Sequence, residues 1–299
     1  MSGAMTDVGE HLLSTRAVAD FVARGFLALP AVVPDELNEA AVEELGQILA
    51  TWGSDARPFA PSSGQVLSEI YPEPSAIGAV LRHPPVAGAL RSLLGPDPVF
   101  DHDFVHHKPA GDPFGQPLHQ DAMVDPTVAF DVQLFYFPHE VAPGAGGTGY
   151  VPGTHLRRVH ETDVGRYVHM AGEQQWSGPA GSVLLFHQGL WHRGMPNPSG
   201  QDRLMYKIRL NPTAPQVRHW DTSDLEEVHN GPDDHLFARF RTDSVAGVLR
   251  HREAWHGEAD HRLELAARAT LWRYLTGDER FDVDWYLTRT EARASLAGG

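Results

Sequence analysis

The sequence predicts a mainly β protein with flanking α-helices, built around an antiparallel sandwich or barrel. Three observations carry that expectation. Between Val99 and Leu210, short apolar runs are cut repeatedly by Pro and Gly. No helical stretch of roughly 15 residues interrupts them. Apolar residues at helical spacing precede this section and return after Pro212. In chain order, Thr15 to Arg24 reads as a short amphipathic helical turn and Gly25 to Leu29 as a strand. Pro34-Asp35-Glu36 opens a helix, with Pro in the first turn and acids at the positive end of the dipole. Leu37, Ala41, Leu45, Ile48 and Leu49 form its stripe. Another helix covers Pro84 to Leu94 and stops at Gly95-Pro96. The strands expected next are Val99 to His107, Leu118 to Met123, Ala129 to Phe137, Gly149 to Val151, Gly181 to Phe186 and Arg203 to Leu210. A last helix runs from His261 to Leu275, with Leu263, Ala266, Ala267, Leu271 and Leu275 on one stripe and Gly277 as C-cap. No repeat or low-complexity linker divides the chain, so a single domain over 1–299 is expected: a helical N-terminal part (1–98), a β core (99–212) and a helical C-terminal extension (213–299).

Composition narrows the function. With 41% hydrophobic and 9% aromatic residues, the chain can bury a core, which excludes disorder. No apolar run reaches the roughly 18 to 20 residues needed to span a bilayer. The first ten residues lack the basic-then-apolar pattern of a secretory signal. There are no cysteines, which excludes disulfides, thiolate zinc sites, iron–sulfur clusters and cysteine nucleophiles. These features fit a cytoplasmic protein. A net charge of −15 argues against nucleic acid or an anionic membrane as partner. The chain holds two lysines, Lys108 and Lys207, against 22 arginines. Its 18 histidines concentrate between His102 and His261, which invites a metal.

The sharpest motif is His119-Gln120-Asp121. On a strand, positions i and i+2 share a face, so an imidazole and a carboxylate placed this way can grip one ion from adjacent sites. His-x-Asp alone is weak, and His219-Trp220-Asp221 is a second copy. Context separates the two. The apolar strand Gly181 to Phe186 is followed by His192, and Arg203 lies eleven residues beyond it. Two histidines and one carboxylate on one face of a metal leave positions open, the facial triad of non-haem iron(II) oxygenases. Those positions accept a bidentate keto acid and then O2. The far carboxylate of the keto acid needs a fixed cation, which Arg supplies with bidentate geometry. His219 lacks this context.

Several motifs in order then resemble the phytanoyl-CoA dioxygenase-like oxygenases, over roughly Phe21 to Pro212. They are Phe21-x-x-x-Gly25-Phe26, Lys108-Pro109-x-Gly111, Leu118-His119-Gln120-Asp121, Gly149-Tyr150-Val151-Pro152-Gly153-Thr154-His155, Gly181 to Phe186, His192, Asn197-Pro198-Ser199 and Arg203. The resemblance implies a double-stranded β-helix (jelly-roll, cupin-like) core, with iron(II), 2-oxoglutarate as co-substrate, and O2. It assigns His119, Asp121 and His192 to the metal and Arg203 to 2-oxoglutarate. The tail around Leu271 to Gly277 and Phe281-x-Val283-x-Trp285-Tyr286 resembles oxygenases acting on sugars in orthosomycin and aminoglycoside antibiotic pathways.

Other candidates have plainer readings beside the functional one. Lys108 either touches the co-substrate or closes its strand end. His155, after Pro152-Gly153-Thr154, suits packing in a turn better than ligation. His187 is expected behind the ligands or on the surface. At most one of His106 and His107 can look inward. Trp191 either lines the substrate pocket or joins the core. The reaction expected is hydroxylation or oxidative cyclisation of a polar small molecule, glycosidic or cationic, from secondary metabolism. Asp101, Asp103, Asp125 and Asp131 are candidates to meet its amines or hydroxyls, and no basic cluster is expected near the site. Acyl-CoA or amino-acid hydroxylation is the alternative within the same chemistry. A zinc hydrolase or a catalytically silent jelly-roll binding protein are the alternatives outside it.

Overall fold

The computed structural model describes residues 8–53, 64–121, 125–230 and 244–283. Among these residues, eight strands form two antiparallel sheets: β1 (Phe26–Leu29), β2 (Val99–Lys108), β3 (Val132–Phe137), β4 (Thr148–Tyr150), β5 (Gln174–Gln175), β6 (Ser182–His187), β7 (His192–Gly194) and β8 (Arg203–Asn211). The larger sheet has the order β1-β6-β3-β8-β2 and the smaller β5-β4-β7. The helices are α1 (Thr15–Arg24), α2 (Asp35–Trp52), α3 (Leu67–Ile70), α4 (Ala76–Arg82), α5 (Pro84–Leu94), α6 (Glu161–Val164), α7 (Leu225–Asn230), α8 (Val245–Leu249) and α9 (Glu258–Thr276). This is the mainly β jelly-roll with flanking helices that the sequence predicts.

Alternation along the central strands builds two apolar layers. Val132, Leu134 and Tyr136 of β3, Val183 and Leu185 of β6, and Tyr206, Ile208 and Leu210 of β8 join the helices in one core. The opposite residues, Phe135, Phe137, Leu184, Phe186 and Met205, meet Phe26, Tyr150 and Trp176 between the sheets. The same alternation turns Arg203, Lys207 and Arg209 of β8 to the inner side with Met205.

The motif residues that do not ligate hold the frame. Gly25 ends α1 at φ 79°, and a Cβ there would stand 2.5 Å from Nδ1 of His155. His155 is buried on that spot, with Nε2 3.2 Å from the Val22 carbonyl, so it packs. The Asn197 amide donates to the Lys108, Pro109 and Gln201 carbonyls at 3.2, 3.0 and 2.8 Å, tying the ends of β2 and β8 together.

Three expectations need correction. The strand expected over Leu118 to Met123 is a single bridge, His119 to His192, because the smaller sheet ends there; Met123 lies outside the described residues. The α9 stripe is also different. Leu263 is 71% exposed, and the buried face carries Leu265, Ala269, Leu271, Trp272 and Leu275. Arg268 sits on that face too, donating to the Leu249 and His251 carbonyls at 2.9 and 2.6 Å. Apolar spacing could not register a buried arginine. The third correction is His187, which is neither on the surface nor behind the ligands. It follows Val183 and Leu185 onto the helix side of β6 and stacks on Phe130 at 5.0 Å. Trp285 and Tyr286 lie outside the described residues.

Burial pushes the His187 imidazole down to about 3 from its ordinary 6.5. A depressed histidine contributes stability that is present above the unfolded value and lost as pH falls towards the folded one. In that window the unfolded chain binds a proton that the folded chain refuses, at ~1.4 kcal/mol per pH unit. Melting temperature is therefore expected to fall less steeply between about pH 6 and about pH 4 in His187→Gln than in the unaltered chain. Parallel pH profiles would remove His187 from the acid response.

Candidate metal centre

Two backbone hydrogen bonds clamp the first pair of candidate ligands, His119 and His192. The His119 amide donates to the His192 carbonyl at 3.0 Å, and the His192 amide returns the bond to His119 at 2.8 Å. Their rings lie 4.5 Å apart. Nδ1 of His119 is 2.9 Å from the Pro117 carbonyl, and Nδ1 of His192 is 2.9 Å from the Leu190 carbonyl. A carbonyl only accepts, so each Nδ1 carries the proton and each Nε2 presents a lone pair to the centre. Asp121 completes the group, with Oδ1 3.7 Å from His119 Nε2 and Oδ2 3.8 Å from His192 Nε2. The three donor atoms lie within 4.8 Å of one another, and among the described residues no other such cluster of three occurs. Two neutral imidazoles and a carboxylate fit a divalent transition metal. His219 does not join them; its Nε2 lies 2.9 Å from the Pro215 carbonyl, and Asp221 accepts from the Ser223 amide at 3.0 Å.

The electrostatics favour ligands ready to bind. Burial drives His192 down to about 3, against the opposing pull of Asp121, so its Nε2 is unprotonated near neutrality. Burial alone would raise Asp121; His192 and Lys207 outweigh it and hold the carboxyl well below its usual range. His106, on the inner face of β2, is held at about 4 by burial and by Lys207 and Arg203. His107 turns outward to Asp202 at 2.9 Å, so one of the pair looks inward, as alternation requires.

Arg203 is buried, and its Nε donates to the Gly146 carbonyl at 2.8 Å. Its Nη1 is enclosed without a partner among the described residues. An enclosed guanidinium nitrogen left unpaired is costly, and a dicarboxylate would satisfy it. Lys108 is engaged at the end of its strand. It lies opposite Arg203 in the β2–β8 register, but its ammonium donates to the Phe114 carbonyl at 2.5 Å and sits 2.8 Å from Asp112. That placement closes the strand end. Trp191 is fully buried with Leu118, Val151 and Val164, a core aromatic beside the ligand.

The inner wall is more basic than the sequence led us to expect. Lys207 reaches Asp121 Oδ2. Arg209 pairs with Asp131 and, at 3.5 Å, with Asp101. No local pattern places either cation on this wall, because each is a single residue on an alternate position of β8; the face shared with Arg203 is the signal. The four acids offered to a substrate are engaged elsewhere. Asp101 and Asp131 hold Arg209, Asp125 meets Arg158 at 2.8 Å, and Asp103 faces the helix side beside Tyr71.

Residues 21–205, more than half of the chain, match the family model described as phytanoyl-CoA dioxygenase (PhyH). The chain belongs to the phytanoyl-CoA dioxygenase family. It is accordingly an iron(II)- and 2-oxoglutarate-dependent dioxygenase, and the donor set above suits both groups. No curated protein matches the chain in sequence. Among solved structures, the 2-oxoglutarate-dependent carbocyclase SnoK from nogalamycin biosynthesis is similar at 22% identity and TM-score 0.52, over 75% of this chain and 93% of that one. HygX from Streptomyces hygroscopicus, with nickel and 2-oxoglutarate bound, is similar at 16% identity and TM-score 0.53, over 70% and 90%. AviO1 from Streptomyces viridochromogenes Tue57 gives 18% identity and TM-score 0.51, over 68% and 96%. At these identities the likeness establishes a shared fold. Among the described residues, no helix of this family member is long and apolar enough to cross a membrane.

Proposed function

We propose that this dioxygenase binds iron through His119, Asp121 and His192, holds the distal carboxylate of 2-oxoglutarate on Arg203, and hydroxylates or oxidatively cyclises a neutral, sugar-containing small molecule of secondary metabolism in the cytoplasm. The observation that carries the reading is the pair of Nε2 atoms converging with Asp121 on one point. Iron with 2-oxoglutarate and O2 supplies a two-electron oxidation, in which hydroxylation of a C–H bond is matched by conversion of 2-oxoglutarate to succinate and carbon dioxide. The chain's own part is orientation. The Pro117 and Leu190 carbonyls fix both imidazoles, and Nη1 of Arg203, enclosed without a partner among the described residues, suits an anion. Phe135 and Phe186, 5.6 and 6.0 Å from the His192 ring, keep the centre dry on one side. A zinc hydrolase or a silent binding protein gives Arg203 no such task.

Charge supports the neutral substrate. Four cations line or flank the inner wall (Lys108, Arg203, Lys207 and Arg209), against four carboxylates paired to them (Asp112, Asp121, Asp101 and Asp131). Iron(II) and the 2-oxoglutarate dianion cancel each other, so the loaded site carries no surplus for a charged substrate. The cationic form of the substrate loses its support, because the acids that would meet an amine are occupied. An acyl-CoA would bring phosphates to a wall whose one carboxylate-free cation, among the described residues, is Arg203. A neutral oligosaccharide is expected to stimulate succinate release with little salt dependence. An aminoglycoside and a branched acyl-CoA should stimulate it less. Stimulation by the acyl-CoA alone would overturn the substrate reading; stimulation by the aminoglycoside that fades with salt would restore the cationic one.

A further inference from the structure

We propose that Lys207 is the resident counter-ion of the metal site, holding Asp121 in place while no metal is bound and opposing the metal when it arrives. The inference rests on the reading of the triad as the metal site. Its first support is placement. Lys207 projects from β8, which is paired on both sides by β2 and β3, whereas Asp121 belongs to no strand. The Asp121 amide donates across a long 3.3 Å to the Gln188 carbonyl. The carboxylate is thus oriented by a side chain on the rigid sheet rather than by its own backbone.

The second support is chemistry. Lys207 is 8% exposed, and among the described residues its one ion-pair partner is Asp121. The ammonium lies 5.9 and 5.8 Å from the ring centres of Phe104 and Phe135, a slot that suits a compact cation. It takes Oδ2 and leaves Oδ1 towards His119. An arginine fork tends to take both oxygens of a carboxylate. The composition sharpens the point. A chain with 22 arginines and two lysines places a lysine here, where one oxygen must stay available.

The third support is energetic. A buried ion pair that loses one member leaves a stranded charge, which costs more than losing both members. In the metal-free protein, Lys207 and Asp121 should therefore be strongly coupled. When a divalent ion binds, it meets a fixed positive charge a few ångströms away. That repulsion acts on a double charge in a partly enclosed site and outweighs the orienting hydrogen bond lost with the lysine.

The test is a thermal double-mutant cycle in EDTA-treated protein, with Lys207→Met, Asp121→Asn and the double variant, followed by calorimetric titration of the Lys207→Met protein and of the unaltered one with nickel(II). Each single variant should melt lower than the unaltered protein, and the double variant should recover at least half of the larger loss. Lys207→Met should bind nickel(II) at least tenfold more tightly. Should Lys207→Met not fold, Lys207→Gln takes its place in every arm. Additive losses in melting temperature, or nickel affinity that is unchanged or lower, would overturn the proposal. An unaltered protein that binds no nickel at all would sink the triad as a metal site, while the EDTA cycle would still report whether Lys207 and Asp121 are paired.

Discussion

His192→Ala is expected to abolish bound iron and succinate release together while leaving a folded protein. The imidazole is one of three donors, and two ligands hold a labile divalent ion poorly. His192 lies at the start of β7, and its backbone bonds to His119 do not depend on the side chain. The ring rests against Phe135 and Phe186, so the truncation opens a small apolar void and lowers the melting temperature by a few degrees. His119→Ala and Asp121→Ala should lose iron to the same extent. His119 is 35% exposed at its side chain, so its removal should cost the least stability of the three. The control is His219→Ala, in the second His-x-Asp copy, which should keep iron content and turnover. Metal analysis of purified variants, with succinate measured in the same samples, decides the assignment. An Asp121→Ala protein with full activity, or loss of iron on changing His219, would refute it.

How much of this was legible before any coordinates depended on the kind of signal. Helices capped by Pro or Gly are readable to within a residue, as α1, α5 and the end of α9 show, because cap chemistry is local. The central strands were readable because both of their faces are buried, which writes continuous apolar runs such as Val183-Leu184-Leu185-Phe186. β5 and β7 were not. They span two and three residues and are held by partners distant in sequence, with nothing apolar to announce them. The sequence puts His119 and Asp121 on a strand, where positions i and i+2 share a face. The two side chains do converge, but by a single backbone bridge and a lysine rather than by a sheet face. Lys207 was the residue missed. Its pairing with Asp121 spans 86 positions, and no local pattern encodes a contact of that range. The same holds for Arg268, whose aliphatic stem and carbonyl partners let a charged residue occupy a core position of α9.

Arg203→Ala should separate co-substrate binding from metal binding. The guanidinium is buried at the start of β8, one nitrogen satisfied by the Gly146 carbonyl and Nη1 enclosed with no partner among the described residues. Burial lowers it only to about 10, so it remains a cation at every pH of interest. Arg203 and Lys207 lie on the same face of β8 with Met205 between them, and in the proposed site 2-oxoglutarate would span from Arg203 towards the triad. Removing one member of a buried, hydrogen-bonded charge pair costs about 2–5 kcal/mol. At ~1.4 kcal/mol per decade, that is a loss of roughly 30- to 4000-fold in 2-oxoglutarate affinity. Iron content should stay near that of the unaltered protein, because Arg203 touches none of the three ligands. The variant should also lose its preference for a dicarboxylate, so that a monocarboxylic 2-oxo acid competes on nearly equal terms. Titration of 2-oxoglutarate and of 2-oxobutyrate into nickel-loaded protein measures both. Arg209 is the neighbouring cation that could take the role instead, but Asp131 and Asp101 already occupy it. If 2-oxoglutarate affinity survives in Arg203→Ala and falls in Arg209→Ala, the co-substrate lies the other way along the strand, and the substrate must then approach from the Arg203 side.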